Sequence, residues 1–268
     1  MKFTSSFELA KAVRITSLKM VVSSRASHIG SALSISDILS VLYLDVLHVN
    51  KNNLNDTERD IFILSKGHGF LALLAALYIK KLITKKKLLT FQSNGSEIIA
   101  HPIMNLKIGI ESSNGSLGQG LSFSIGLALA KKKKKEKGNI FSILGDGECY
   151  EGSVWESAIS ATELNLDNLT IIIDCNGFQN DGKIGSKMNY KDIYKKWRGF
   201  GWNTILCEGH DILKLLKALK SKKQHMPTAI IARTVKGKGI SFMENNNDWH
   251  HGRLTKKLYK EALKDLKK

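Results

Sequence analysis

Four unbroken apolar runs confine what this chain can fold into. DIFILS at 60–65, NIFSIL at 139–144, NLTIIID at 168–174 and TAIIAR at 228–233 each stop at glycine or polar clusters, and none alternates strictly between apolar and polar residues. A strand with one face in water reads as an alternation, whereas a run that is apolar throughout belongs to a strand buried on both faces. Strands in a parallel sheet covered by helices are in that state. Helical patterns fill the intervals. Residues 34–47 carry apolar side chains at 35, 38, 39, 42 and 46, and residues 153–164 and 210–220 repeat the spacing. Strand alternating with helix predicts an α/β fold, a mostly parallel sheet flanked by helices on both faces.

With 268 residues, only Pro102 and Pro227 as prolines, and no Gly/Ser-rich linker, the chain reads as one continuous domain over 1–268. Its tail, RLTKKLYKEALKDLKK at 253–268, places Leu254, Leu258, Ala262, Leu263 and Leu266 on one stripe. That predicts an amphipathic helix, docked on its own domain or turned to a partner.

Composition excludes several classes of function. Cys149, Cys175 and Cys207 are odd in number and form no CxxC pair, which argues against a disulfide framework and a zinc site and predicts a cytoplasmic protein. The first residues, MKFTSSFELAKAVRITSLKM, interrupt their apolar positions with charge, unlike a secretory leader. No segment approaches the roughly 20 apolar residues that span a bilayer, so no membrane is expected. The formal net charge of +17 is nearly all lysine, with arginine only at 14, 25, 59, 198, 233 and 253. Bidentate phosphate or base readout favours arginine, so the charge does not predict a nucleic-acid binder. The densest run, Lys131 to Lys135, follows LSFSIGLALA, and a solvated helix end is its simplest reading because the dipole favours cations there. A basic face for an acidic partner competes with it.

The chemistry concentrates in GDGECYEG at 145–152. Glycines after an apolar run suggest a phosphate-binding turn, yet these carry carboxylates, and Tyr150 occupies the third glycine of a dinucleotide fingerprint. A metal ion between carboxylate and phosphate resolves the conflict, since a hard cation takes oxygens from both. Asp146 follows one strand at its carboxyl end, where ligands bind in open α/β sheets, and Asn176 in CNGF closes the next. If those strands are neighbours, the two side chains supply oxygens to one point. Asp-Gly and Asn-Gly turns with no ligand are the competing explanation.

In order along the chain, SSRASHIGSALSISDIL at 23–39, LSKGHG at 64–69, NGSLGQGLSFSIGLALA at 114–130, GDGECYEGSVWE at 145–156 with NGF at 176–178, and TVKGKG at 234–239 resemble segments of the transketolase family. The resemblance runs from about residue 8 to about residue 255 and implies the PP domain, the thiamine diphosphate-binding fold of that family. It implies Asp146, Asn176 and the carbonyl of Phe178 as ligands of Mg2+, with Ca2+ or Mn2+ as substitutes. Gly147 and His68 then lie beside the diphosphate, and Leu117 and Gly118 lie at the aminopyrimidine end. Gly120 allows close packing at a helix start. His28, His101 and His250 match histidines of the substrate channel that bond the ketose, stabilise oxyanions and relay protons, although the dipeptide leaves the choice between His250 and His251 open. Glu151 matches a carboxylate of the subunit interface or, taken alone, a first-turn residue favoured by the helix dipole.

A complete transketolase continues through a pyrimidine-binding and a C-terminal domain, and the former supplies a glutamate that bonds the coenzyme's pyrimidine nitrogen. The resemblance therefore implies an N-terminal subunit completed by a separate C-terminal transketolase subunit in a 2+2 heterotetramer, transferring a two-carbon ketol unit between small sugars. Two alternatives stay open at this stage. One is another thiamine diphosphate enzyme, similar to deoxyxylulose-phosphate synthase or a dehydrogenase component. The other is a non-catalytic cofactor-binding or basic nucleic-acid-binding module.

Overall fold

The computed structural model describes residues 5–24 and 26–267, so Met1 to Thr4, Arg25 and Lys268 lie outside the described residues. In chain order the elements are α1 (Ser6–Ser24), α2 (Ile29–Ser34), α3 (Ser36–Val41), β1 (Ile61–Leu64), α4 (Phe70–Ile79), α5 (Lys85–Leu88), α6 (Gln119–Lys134), β2 (Ile140–Gly145) and α7 (Gly152–Glu163). There follow β3 (Leu169–Cys175), the short pair β4 (Phe178–Gln179) and β5 (Gly182–Lys183), α8 (Tyr190–Gly199), β6 (Asn203–Glu208), α9 (Ile212–Lys220), β7 (Thr228–Arg233) and α10 (Lys256–Asp265).

Five strands form one sheet in the order β1-β2-β3-β7-β6, with every neighbouring pair parallel. Alternate residues of the apolar runs serve opposite faces. Phe141, Ile143, Ile172 and Ile230 enter one core with Leu9, Leu33, Leu39 and Phe70. Ile140, Leu144, Ile171, Ile173 and Ile231 enter the other with Leu121, Val154, Trp197 and Trp202. Burial on both sides is why these runs lack alternation. The edge strand β6 escaped the sequence reading for the converse reason. Its NTILCE mixes polar and apolar residues, and Leu206 is 47% exposed.

The pattern at 34–47 does not make one helix. It breaks at Ile35 into α2 and α3 and ends in a π turn at Leu42–Val46, where the Leu47 N–H bonds Leu42 O at 2.8 Å. Ser34, Ser36 and Ser40 each turn a hydroxyl back onto a carbonyl three or four residues earlier, which competes with a regular helix. The apolar positions 35, 38, 39 and 42 are nonetheless fully buried.

The lysine run does lie at a helix end, but only its last three members face solvent. Lys131 is buried and donates to Thr57 O, and Lys132 binds Asp167 at 2.8 Å. At the other end of α6, Gly120 lies against the chain after β1, where a Cβ would meet Ser65 Cα at 2.7 Å. The tail helix α10 begins under Thr255, whose hydroxyl accepts the Leu258 N–H at 3.2 Å, and it buries Ala262 and Leu266 in the core shared with α1. Among the described residues no helix is long and apolar enough to cross a membrane.

Candidate cofactor and active site

Because the sheet is parallel, the segments leaving β1, β2, β3 and β7 emerge at one edge. β2 and β3 are neighbours, with Gly145 in register with Asp174, so Asp146 and Asn176 follow on adjacent tips. The Asp146 carboxylate is 1% exposed and accepts the N–H of Gly147 at 2.8 Å and of Gly177 at 2.6 Å, tying the two tips together. Burial first, and the nearby Asp174 second, push its carboxyl up to about 7. Asn176 donates its amide to Asp174 at 2.9 Å and accepts the Phe178 N–H at 3.0 Å. An amide oxygen has two lone pairs, so one remains for a further partner.

Asp174 is the buried hub beneath these tips. It accepts from Lys66 Nζ at 2.5 Å, Ser34 Oγ at 2.7 Å, Asn176 and Thr234, joining α2 to the ends of β1, β3 and β7. Burial alone would raise its carboxyl, but the Lys66 ammonium and these hydrogen bonds outweigh burial and hold it below the usual range. Two neighbouring carboxyls are thus pushed apart, a pattern associated with functional sites. Glu148, also buried, accepts the N–H groups of Gly118 at 2.9 Å and Gly145 at 3.1 Å and the Ser65 hydroxyl, so it fixes the loop before α6 against the β2 turn.

Gly118 sits at the start of α6 with φ 81°. A Cβ there would lie 2.5 Å from Ser153 Oγ and 2.8 Å from Glu151 Cβ. Gly118→Ala is expected to cost more than about 1 kcal/mol in a urea melt, because Ala resists positive φ and the contact is with packed atoms. A stability within experimental error of the parent would show that this loop is not fixed as described.

Five imidazoles gather above the strand tips. The His28 ring centre is 5.8 Å from His68, 5.9 Å from His101, 5.2 Å from His250 and 5.1 Å from His251. His28 adopts φ 65°, which is strained for a residue with a Cβ, and its N–H bonds His250 O at 2.9 Å. Its Nδ1 is buried without a hydrogen-bond partner among the described residues, an orphan of the kind a ligand satisfies. Burial, then neighbouring His251, brings His28 down to about 4, and burial, then Lys236, brings His250 down to about 3. Burial also lowers His68 and His101. At neutral pH His28 and His250 are therefore uncharged, each ring offering one donor and one acceptor.

A cavity of about 250 Å³ joins the two groups of residues, lined by His68, Leu117, Asp146, Gly147, Glu151, Asn176, Phe178 and His250 among others. Gly118, His28 and His101 are not among its lining residues: Gly118 lies against Glu151, His28 neighbours His68 and His250, and His101 joins the cluster through His28. Glu151 is exposed at the start of α7 and its side chain caps no N–H there. His251 is exposed and bonds Asn180 at 2.6 Å, so both histidines of the dipeptide belong to the cluster while His250 lines the cavity. Sequence reasoning did not single out Lys66, Asp174, Glu148 or Lys236. Lys66 and Lys236 stand inside the quoted SKGHG and TVKGKG, and a lysine between residues that leave a strand tip was the available signal. Among the described residues no three His, Cys, Asp or Glu side chains form a metal site by themselves.

The chain matches the family described as the transketolase thiamine diphosphate binding domain over residues 5–266. It is 38% identical over 265 residues to one of the subunits of the apulose-4-phosphate transketolase of Actinobacillus succinogenes, covering 97% of this chain and 96% of that protein. It is 36% identical over 261 residues to a 6-deoxy-6-sulfo-D-fructose transketolase subunit of Clostridium sp. strain MSTE9, covering 97% and 95%. The crystal structure of transketolase from Campylobacter jejuni superposes with a TM-score of 0.90 at 29% identity, over all of this chain and 43% of that one.

Proposed function

Because this chain belongs to the transketolase family, we propose that it is the N-terminal subunit of a two-subunit transketolase, one PP domain that moves a two-carbon ketol unit from a ketose to an aldose. The observation that carries this reading is the meeting of Asp146 and Asn176 with the imidazole cluster of His28, His68 and His250 at one cavity. Named subunits of similar length, each nearly covered by this chain, support a separate partner that carries the rest of the enzyme.

Thiamine diphosphate, when bound, supplies the carbanion chemistry and the electron sink. The residues fit that group. Asp146 and Asn176, with the carbonyl of Phe178, would hold Mg2+ (or Ca2+ or Mn2+). These three oxygens fall short of a full shell, which suits an ion that shares its shell with diphosphate oxygens. A buried carboxyl raised to about 7 is one that a cation would restore to its ionised form. His68 and the Gly147 backbone would lie beside the diphosphate, and Leu117 and Gly118 would meet the aminopyrimidine end. His28, His101 and His250 bond the sugar's hydroxyl and carbonyl oxygens, stabilise negative charge on oxygen and pass protons. Glu151, at the exposed rim, joins the contact with the partner subunit.

We assign a cytosolic 2+2 heterotetramer without nucleic acid or membrane, in keeping with three buried free cysteines. The test is ketol transfer with thiamine diphosphate and magnesium, by this chain alone and mixed with a C-terminal subunit from the same source. Activity confined to the mixture is the expected result. Full activity from this chain alone would overturn the division of labour.

A further inference from the structure

Lys236 is 1% exposed on the loop that leaves β7, yet its ammonium reaches the cavity wall. Nζ lies 2.8 Å from Asn247 Oδ1 and 2.9 Å from His250 Nδ1. The Asn247 amide has one orientation, because its Nδ2 donates to Asn180 O at 3.0 Å. Oδ1 therefore accepts, and Lys236 donates to it. Burial lowers the Lys236 ammonium to about 8, which leaves it mostly charged at neutral pH. An ammonium has three donors and no lone pair, so there it donates to His250 as well, and His250 Nδ1 is the unprotonated nitrogen. In a neutral imidazole the hydrogen bond at one nitrogen decides where the proton sits, and here it sits on Nε2.

We propose that Lys236 is a positioning residue for His250, fixing the ring as the Nε2–H tautomer so that this chain offers a donor, not a base, to the sugar oxygen in the cavity. The sugar's part in this statement rests on the transketolase reading. The tautomer does not.

The loop is built to keep the ammonium in place. The Val235 N–H donates to His210 Nε2 at 2.8 Å, and His210 Nδ1 in turn bonds Asp37 on α3 at 2.6 Å. The Gly237 N–H bonds Gly30 O at 3.0 Å, and Arg14 Nε of α1 bonds Lys238 O at 3.1 Å. Arg14 also grips Asp37, so one carboxylate anchors the loop from both sides of Lys236. A hydroxyl or amide at this position could turn and accept from His250. An ammonium cannot, and that is the physical reason for a buried lysine here.

The test is long-range 1H–15N correlation NMR on the whole chain labelled at its histidines, with His250 assigned by the loss of its signals in His250→Gln. The parent should show one His250 tautomer, Nδ1 bare and Nε2 protonated. Lys236→Glu, which places an acceptor at the same point, should reverse it. A protonated Nδ1 in the parent, or an unchanged tautomer in a folded Lys236→Glu, overturns the proposal. If that variant does not fold, Lys236→Met decides: a mixture of tautomers supports the assignment and an unchanged single tautomer refutes it. In the complete two-subunit enzyme Lys236→Met should lower kcat roughly tenfold with little change in KM, as for a group acting on charge developed in the reaction. Failure of the parent mixture to transfer a ketol unit would instead remove the transketolase reading and leave the NMR result standing.

Discussion

Asp146→Ala should leave a folded chain that no longer takes up thiamine diphosphate with magnesium. The carboxylate is the one formal negative charge among the three proposed ligands, so calorimetric affinity should fall at least about a hundredfold. The fold should survive, because both core clusters are assembled from other side chains. Asp146→Asn separates charge from shape. In the ligand-free parent the carboxyl is raised from 3.8 to about 7, burial being the larger cause. A group raised in the folded state supports folding fully below its unfolded value, and that support is lost as pH rises through the folded one. The melting temperature of Asp146→Asn relative to the parent should therefore climb between about pH 4 and pH 8 while cofactor affinity stays low. Unchanged affinity in both variants would remove Asp146 from the metal site. A difference in melting temperature that does not vary with pH would remove the buried charge.

Lys66→Met should be the most destabilising single substitution in the site. Lys66 is 1% exposed and Asp174 fully buried, and deleting one partner of such a pair typically costs about 3–5 kcal/mol because the other charge is left without compensation. Asp174 keeps neutral donors in Ser34, Asn176 and Thr234, so the lower end of that range is expected. Adding Asp174→Asn to Lys66→Met should restore part of the loss in a denaturant melt, since the remaining group is then uncharged. A single-variant cost under about 1 kcal/mol would mean that the pair does not anchor the strand tips.

Much of this fold was legible in four short segments. An unalternating run such as LTIIID at 169–174 says that both faces of its strand are covered, and the opposed cores on either side of β3 agree. β6 was illegible because an edge strand need not be apolar throughout. The division at Ile35 was illegible because periodicity records which residues are buried and says little about serines that bend the backbone. In the site, most of the residues proposed to touch a ligand sit in glycine-bounded motifs, which is what makes them stand out in the sequence. Those that hold them are quieter in sequence. Asp174 reads as the polar end of a strand, Glu148 as one more acid in a turn, and His210 as a lone histidine before a helix. Their roles depend largely on partners far along the chain, such as Gly118, 30 residues from Glu148, and Asp37, 173 residues from His210.

The strand order has a consequence for biosynthesis. β7 is the last strand among the described residues but lies between β3 and β6, pairing with both. Until residues 228–233 leave the ribosome, β3 presents an open edge of isoleucines and β6 has no neighbour in the sheet. A nascent or truncated chain ending before Thr228 thus carries an unpaired apolar template, the kind of edge that invites intermolecular pairing. Late insertion of this inner strand makes a chain that lacks residues 228–233 more open to such pairing than one that contains them.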